Sequence, residues 1–469
     1  MPSDFREGTS GSRMKVVLAK SGLVGPISGA DEALVRYAIE LHRIGCLHSV
    51  ALLHRPRPDD PYLLRLQAAG IPVTVVASMA GLRRLLVVIR RVAISLRLIV
   101  DVTVATPTTE SSKRQTQPRR VWNRLWRIAS DVHLLACRRH FRKCRADVIH
   151  VVASDTGGPV LIRAARQIRT PVLFHELGTA DCLPELRPHY VAFAPLARSA
   201  SEVAVLSPAL AEGWRGLFEL AKPARVLPLL HDDAGARVGA RPSDGGVVFG
   251  YAARLERGKG LMLLLEAFAA ARRRVPGIRL RLSGSGPLAS VARERADALA
   301  LGDTCEFLGY TPEADKRALL ESFDVFVLPT LAEGTPNSLI EVMMLGLPIV
   351  TTTVGGIPDM LGRDGDQPDD AALLVPPNDV DALTGALIRV ATDAALRERL
   401  GAAARRRYLA IFHPDAVLPL LLYEYRRMIG RPREVAGDPP RHPWRVADGA
   451  AWPQGTAAGP IVAAMGTTE

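Results

Sequence analysis

The stretch EGTPNSLIE sets two carboxylates, Glu333 and Glu341, eight residues apart around a run of small and polar residues. Were the whole stretch helical, eight residues would amount to about 2.2 turns and leave the carboxylates on neighbouring faces. Pro336 suits a first helical turn, where backbone N–H groups without an intrahelical partner can hold an anion. Gly334, Thr335, Pro336, Asn337, Ser338 and Leu339 therefore read as a phosphate cradle with a carboxylate at each end. Carboxylates are the acceptors that sugar and ribose hydroxyls call for. Upstream, in GYAARLERGKG, Arg254 and Lys259 stand five apart in a glycine-containing loop after an apolar run. A guanidinium and an ammonium there could neutralise charge that develops on a departing phosphate without help from a metal. Taken singly, each of these features also reads as solvated surface, so their weight comes from order and placement.

The elements that must position them alternate along the chain. Short apolar runs at MKVVLAK, CLHSVALLH, VTVVA, DVIHVV, PVLFHE and EVAVLS read as strands, and helical stretches separate most of them. In GADEALVRYAIELHRIG, residues Leu34, Tyr37, Ala38, Leu41 and Ile44 recur at helical spacing. The polar, Gly/Pro-rich stretch 231–246 reads as a linker, after which the alternation restarts with VVFGYAA and runs through RLRLSG, CEFLG, VFVLP, LPIVTT and AALLVPP. This predicts two doubly wound parallel-sheet α/β domains, with ligands gathered at the carboxyl ends of the strands. A chain of 469 residues with 48% hydrophobic content can fill two such cores. The segment from Pro414 to Ile429 reads as a last helix, and the Pro- and Gly-rich 430–469 as a disordered tail.

Taken in this order, the segments resemble the retaining glycosyltransferases of the GT-B type, glycosyltransferase family 4. ARLERGKGLMLLLEAF resembles that family's phosphate-binding loop, RLRLSGSGPL its Gly-rich strand end, and EGTPNSLIEVMMLGLPIVTTTVGG its paired glutamates and Gly-Gly turn. The resemblance covers roughly residues 14 to 429 and implies two Rossmann-like domains facing across a donor-binding cleft. It implies an acceptor-side domain at 14–232, a donor-side domain at 245–412, and a helix at 414–429 returning to the first domain. By the same resemblance Arg254 and Lys259 bind the diphosphate, Glu333 the donor sugar and Glu341 the ribose. Gly284 and the backbone of 334–339 line the donor, Gly29 lies near the phosphates, and His175 in PVLFHELG lies near the donor sugar and acceptor. The implied donor is a UDP- or GDP-linked sugar, transferred with retention, with no metal or other cofactor.

Two lookalikes compete. Asp364-Gly365-Asp366 imitates a metal-binding Asp-x-Asp but reads as a polar turn. Gly284-Ser285-Gly286-Pro287-Leu288-Ala289, with Glu306 twenty residues past Gly286, fits a dinucleotide fingerprint and supports an NAD-dependent oxidoreductase as the alternative. That fingerprint normally follows the first strand of its domain, and here it follows the second.

Charge is unevenly spread. The net charge is +12, and between Ser78 and Asp147 sixteen Lys or Arg stand against four acids, so this insertion carries the whole excess. Its helical patterns, one ending in Arg138, Arg139, Arg142 and Lys143, suit an anionic membrane surface, and equally a surface helix packed on the first domain. A nucleic-acid-binding module is the third reading, with no recognised motif to support it. No uncharged apolar run reaches eighteen residues, the first residues lack a secretory pattern, and five scattered cysteines suit reduced thiols. The expectation is a cytoplasmic protein that could lie peripherally on the inner face of the cytoplasmic membrane, with an unknown acceptor that could be lipid-linked or a polysaccharide precursor, and no nucleic-acid partner.

Overall fold

The computed structural model describes residues 14–23, 25, 28–76, 132–152, 158–178, 187–237, 246–362, 370–430 and 442–444. Among these, two sheets form, every recorded strand pair running parallel. The first comprises β1 (Val16–Lys20), β2 (Leu47–Leu52), β3 (Val73–Val75), β4 (Val148–Val152), β5 (Val172–His175), β6 (Glu202–Val205) and β7 (Arg225–Val226). Its order is β3-β2-β1-β4-β5-β6-β7. The second comprises β8 (Val248–Ala252), β9 (Arg279–Ser283), β10 (Cys305–Gly309), β11 (Val325–Leu328), β12 (Ile349–Thr352) and β13 (Ala372–Val375), ordered β10-β9-β8-β11-β12-β13. In each sheet the strand order reverses beside the first strand, which places a topological switch point at the ends of β1 and β8. The central strands β1, β4, β5, β11 and β12 are buried along their whole length. That is why they read as continuous apolar runs rather than alternating ones.

The chain divides into two compact units: Met1–His175 with Pro195–Val203 and Met428–Gly430, and Glu176–Ala194 with Ala204–Arg427 and Arg431–Glu469. In the first unit, helix α1 (Gly29–Arg43) is capped by Ser28, whose side chain accepts from the Asp31 N–H. Beneath it Lys20, the last residue of β1, pairs with Asp31 at 2.8 Å, and both side chains are essentially inaccessible. Helix α2 (Pro61–Ala68) brings Arg65 to Glu32, which also holds Arg36 at 2.5 Å. Burial alone would raise the Glu32 carboxyl, but the two guanidiniums outweigh it and hold it low.

The polar stretch after β7 is not a loose linker over the part described. Within the second unit the His231 N–H donates to Phe412 O at 3.0 Å, and Tyr408 Oη donates to His231 O at 3.0 Å. Arg405 grips both oxygens of Asp233, at 2.8 and 2.7 Å, and holds that carboxyl below its usual range. Arg237 reaches Phe323 O at 2.7 Å. Residues 238–245 lie outside the described set.

The stretch read as a disordered tail also contains a seated piece. His442 and Trp444 are buried, and the Trp444 ring stands edge-on to Phe412 with centroids 5.5 Å apart. The Trp444 N–H donates to His442 Nδ1 at 3.0 Å, so His442 is neutral with its proton on Nε2, which faces Ile411 O at 3.1 Å. Burial, only partly offset by that carbonyl, pushes the His442 pKa down.

Candidate functional site

In the second unit the residues that could handle an anionic donor come from three strand ends. β8 runs into a loop that carries Arg254, then into the tight turn Arg257–Lys259, which ends on Gly260 with φ +68. That loop is knitted to the Gly-rich turn after β9: Leu255 N–H donates to Ser285 O at 2.9 Å, and Leu288 N–H to Leu255 O at 3.0 Å. Gly284 sits at φ +146, and a Cβ there would lie 1.9 Å from Ala253 O, so only glycine allows the approach. After β11, Leu331 N–H and the Thr330 hydroxyl both bond Gly258 O at 2.8 Å and fasten the loop leading to Glu333 onto the Lys259 turn.

The outcome is an ion pair between Lys259 Nζ and Glu333 Oε1, both side chains less than a fifth exposed. Two groups expected on a donor thus neutralise one another, and an incoming phosphate would compete for the ammonium. Arg254 is half exposed and pairs with Glu256 at 2.9 Å.

Glu333 is not helical. Helix α3 of this site (Asn337–Leu345) begins only after Pro336, so the geometry of two glutamates on one helix does not apply. Pro336 disfavours an earlier start, because its ring crowds the preceding residue out of helical backbone. The Leu339 N–H is spent inside the first turn, on Pro336 O at 3.1 Å, which removes Leu339 from the expected cradle. Thr335 is buried and Asn337 faces His231, with Oδ1 2.9 Å from the ring Nε2. The loop is braced from behind by the Gly-Gly turn. Gly356 N–H donates to Gly334 O at 2.9 Å, and at Gly355, φ +55, a Cβ would meet Glu333 O at 1.7 Å. Glu341, one turn into the helix, is 7% exposed, and its Oε1 accepts from Lys316 at 2.6 Å.

In the first unit, Gly29 opens α1 and His175 ends β5. His175 is fully buried and its ring stacks on that of His150 in β4, centroids 5.4 Å apart, with Tyr37 tilted against both. Burial, reinforced by His175, holds His150 well below its ordinary pKa of 6.5. The unfolded chain therefore binds a proton near pH 6 that the folded chain does not, and stability rises with pH across that window. We expect thermal stability to fall as pH drops below 6.5, by at most about 1.4 kcal/mol per pH unit for this residue. His150→Phe should flatten that slope in a pH series of melting curves; an unchanged slope would show that His150 titrates normally. His140, His48 and His442 are lowered by burial too and contribute to the residual slope.

Solved structures with this architecture are numerous. The chain superposes on HepE of Anabaena in complex with UDP, with a TM-score of 0.66 and 18% identity over 88% of this chain and 99% of that one. The UDP-glucose complex of the same protein gives 0.63 and 16% identity over 90% and 100%. The fold is GT-B. Residues 237–407 match the family described as glycosyl transferases group 1. A 2-deoxystreptamine N-acetyl-D-glucosaminyltransferase of Streptomyces fradiae is 33% identical over 33% of this chain and 36% of its own length. The MMP α-(1→4)-mannosyltransferase of Mycolicibacterium hassiacum is 32% identical over 37% and 41%. The chain matches the first of its curated relatives over about a third of their length.

The carboxylate of Glu306, the acidic residue of the dinucleotide reading, is engaged by Arg281 at 2.8 Å. Asp364-Gly365-Asp366, Cys182 and most of the basic insertion lie outside the described residues. Residues 132–144 are described and helical; Arg139, Arg142 and Lys143 are exposed there, together with Val132 at 40% and Leu135 at 63%. Arg138 departs from its group, because its Nε is buried. No described helix is long and apolar enough to cross a membrane, and no described group of three His, Cys, Asp or Glu could hold a metal ion. His231, His150 and Lys316 were not singled out in the sequence, for their partners lie 106, 25 and 25 residues away.

Proposed function

We propose that this protein is a retaining, metal-independent glycosyltransferase of family 4 that moves a sugar from a UDP- or GDP-linked donor to an acceptor hydroxyl. The observation that carries the reading is the Lys259–Glu333 pair, held beside the start of the helix that bears Glu341. In this reading the donor diphosphate takes over Lys259, with Arg254 swinging from Glu256 to join it, and Glu333 is released toward the sugar hydroxyls. The bond from C1 to the β-phosphate oxygen breaks while the acceptor oxygen bonds C1 on the same face. The acceptor proton passes to the departing phosphate, whose growing charge the two cations offset. Glu341 receives the ribose hydroxyls, and the backbone from Gly334 to Ser338 and Gly284 line the donor. The HepE complexes with UDP and UDP-glucose favour a uridine donor.

The test is consumption of a panel of UDP- and GDP-sugars in the presence of candidate acceptors, followed by proton NMR of the anomeric signal. Retained configuration, unchanged by EDTA, is the expected result; inversion or a strict metal requirement would refute that part of the reading.

The acceptor, in the same reading, is lipid-linked and reached from the cytoplasmic membrane face. Val132, Leu135, Arg139, Arg142 and Lys143 give residues 132–144 an exposed face that is apolar at one end and basic at the other. Each basic residue near an anionic surface contributes about 1 kcal/mol, so replacing Arg139, Arg142 and Lys143 by Gln should weaken binding to phosphatidylglycerol vesicles roughly a hundredfold. Unchanged vesicle sedimentation would remove the membrane from the account.

A further inference from the structure

Glu341 is a carboxylate at 7% exposure, and a buried carboxylate is tolerated only with a paired, hydrogen-bonding cation. Lys316 supplies one. It lies in the helix Glu313–Glu321, its ammonium 2.6 Å from Glu341 Oε1 and 3.7 Å from Glu313 Oε2, with its side chain 29% exposed. A carboxylate offers about four lone-pair sites, so one ammonium leaves acceptor capacity for a vicinal diol while limiting rotation of the group.

We propose that Lys316 is a positioning residue for ribose recognition: it holds the Glu341 carboxylate in the orientation that accepts both ribose hydroxyls, and so sets the preference for ribonucleotide over deoxyribonucleotide donors. The inference rests on the donor-site reading above. Were Lys316 a purely structural partner, its loss would weaken every nucleotide alike or none. A positioning role predicts a loss confined to ligands that carry the 2′-hydroxyl.

The experiment is calorimetric titration of the full-length protein with UDP, GDP and ADP and their 2′-deoxy counterparts, for wild type, Lys316→Met, Lys316→Arg and Glu341→Gln. Melting curves without ligand identify any variant that fails to fold. The wild type should bind a ribonucleotide more tightly than its deoxy form by about tenfold, the scale of one hydrogen bond to a charged group. Lys316→Met should lose that ratio by weakening the ribonucleotide alone, and Lys316→Arg should keep most of it. A ratio that survives Lys316→Met, or equal losses for both sugars, overturns the proposal while leaving the donor site standing if Glu341→Gln abolishes the ratio. A ratio untouched in Glu341→Gln, or no binding of any ribonucleotide, would bring down the donor-site reading and this inference with it.

Discussion

If the proposed glycosyl transfer is the reaction, replacing Lys259 by alanine should lower single-turnover transfer from a nucleotide sugar by about 10²–10³-fold, the range seen when one preorganised donor to a developing oxyanion is removed. The size follows from placement. Lys259 ends the turn after β8, where the switch point of the second sheet lies, and its side chain is only 17% exposed. An ammonium held there needs no reorganisation as charge grows on the leaving phosphate. Lys259→Arg should recover part of the rate, since charge is kept while the compact geometry is not. Glu333→Gln separates the two halves of the pair. It should leave nucleoside diphosphate affinity equal or higher, because the ammonium no longer has a competitor, yet depress turnover with the full sugar donor. Equal rates in Lys259→Ala and wild type, measured by quenched flow, would remove this residue from the reaction.

Asp31→Ala destabilises the first unit by about 3–5 kcal/mol, the cost of leaving one partner of a buried ion pair without the other. Lys20 and Asp31 are 2.8 Å apart and buried to 2% and 0%, and Lys20 also donates to Gly22 O at 2.8 Å. The pair ties the end of β1 to the first turn of α1, the segment that presents Gly29. The double variant Lys20→Met/Asp31→Leu removes both charges and should lose far less, because hydrophobic replacements of similar volume often match a buried pair. Urea unfolding followed by circular dichroism gives both values. A single variant as stable as wild type would mean that the pair is reached by solvent.

Most of the fold was legible because its information is local. The central strands β1, β4, β5, β11 and β12 are buried, mostly apolar runs, and the glycines at the strand ends are needed where backbones approach, as at Gly284 against Ala253 O. β7 escaped notice because two residues, Arg225 and Val226, make no periodic pattern. The loop before the Asn337–Leu345 helix was legible as a motif but not as geometry: Pro336 delays the helix, so Glu333 stands in a loop and pairs with Lys259, a residue 74 positions earlier. The same limit hid Lys316 beside Glu341 and His150 against His175, which meet only when strands and helices pack. Residues 231–237 and His442–Trp444 misled the reading in the other direction. Their polar, Pro-rich composition signals loose chain, while Arg405, Tyr408 and Phe412 supply specific tertiary partners.

The most direct check on the donor site is a thermal-shift titration with UDP, GDP, ADP, dTDP and NAD, each with and without EDTA. A ligand that binds only the folded state raises the melting temperature by mass action. Stabilisation by a nucleoside diphosphate, unaffected by EDTA and lost in Glu341→Ala, is the expected result. Stabilisation by NAD alone would contradict it and return the chain to the oxidoreductase reading of its Gly284–Ala289 turn.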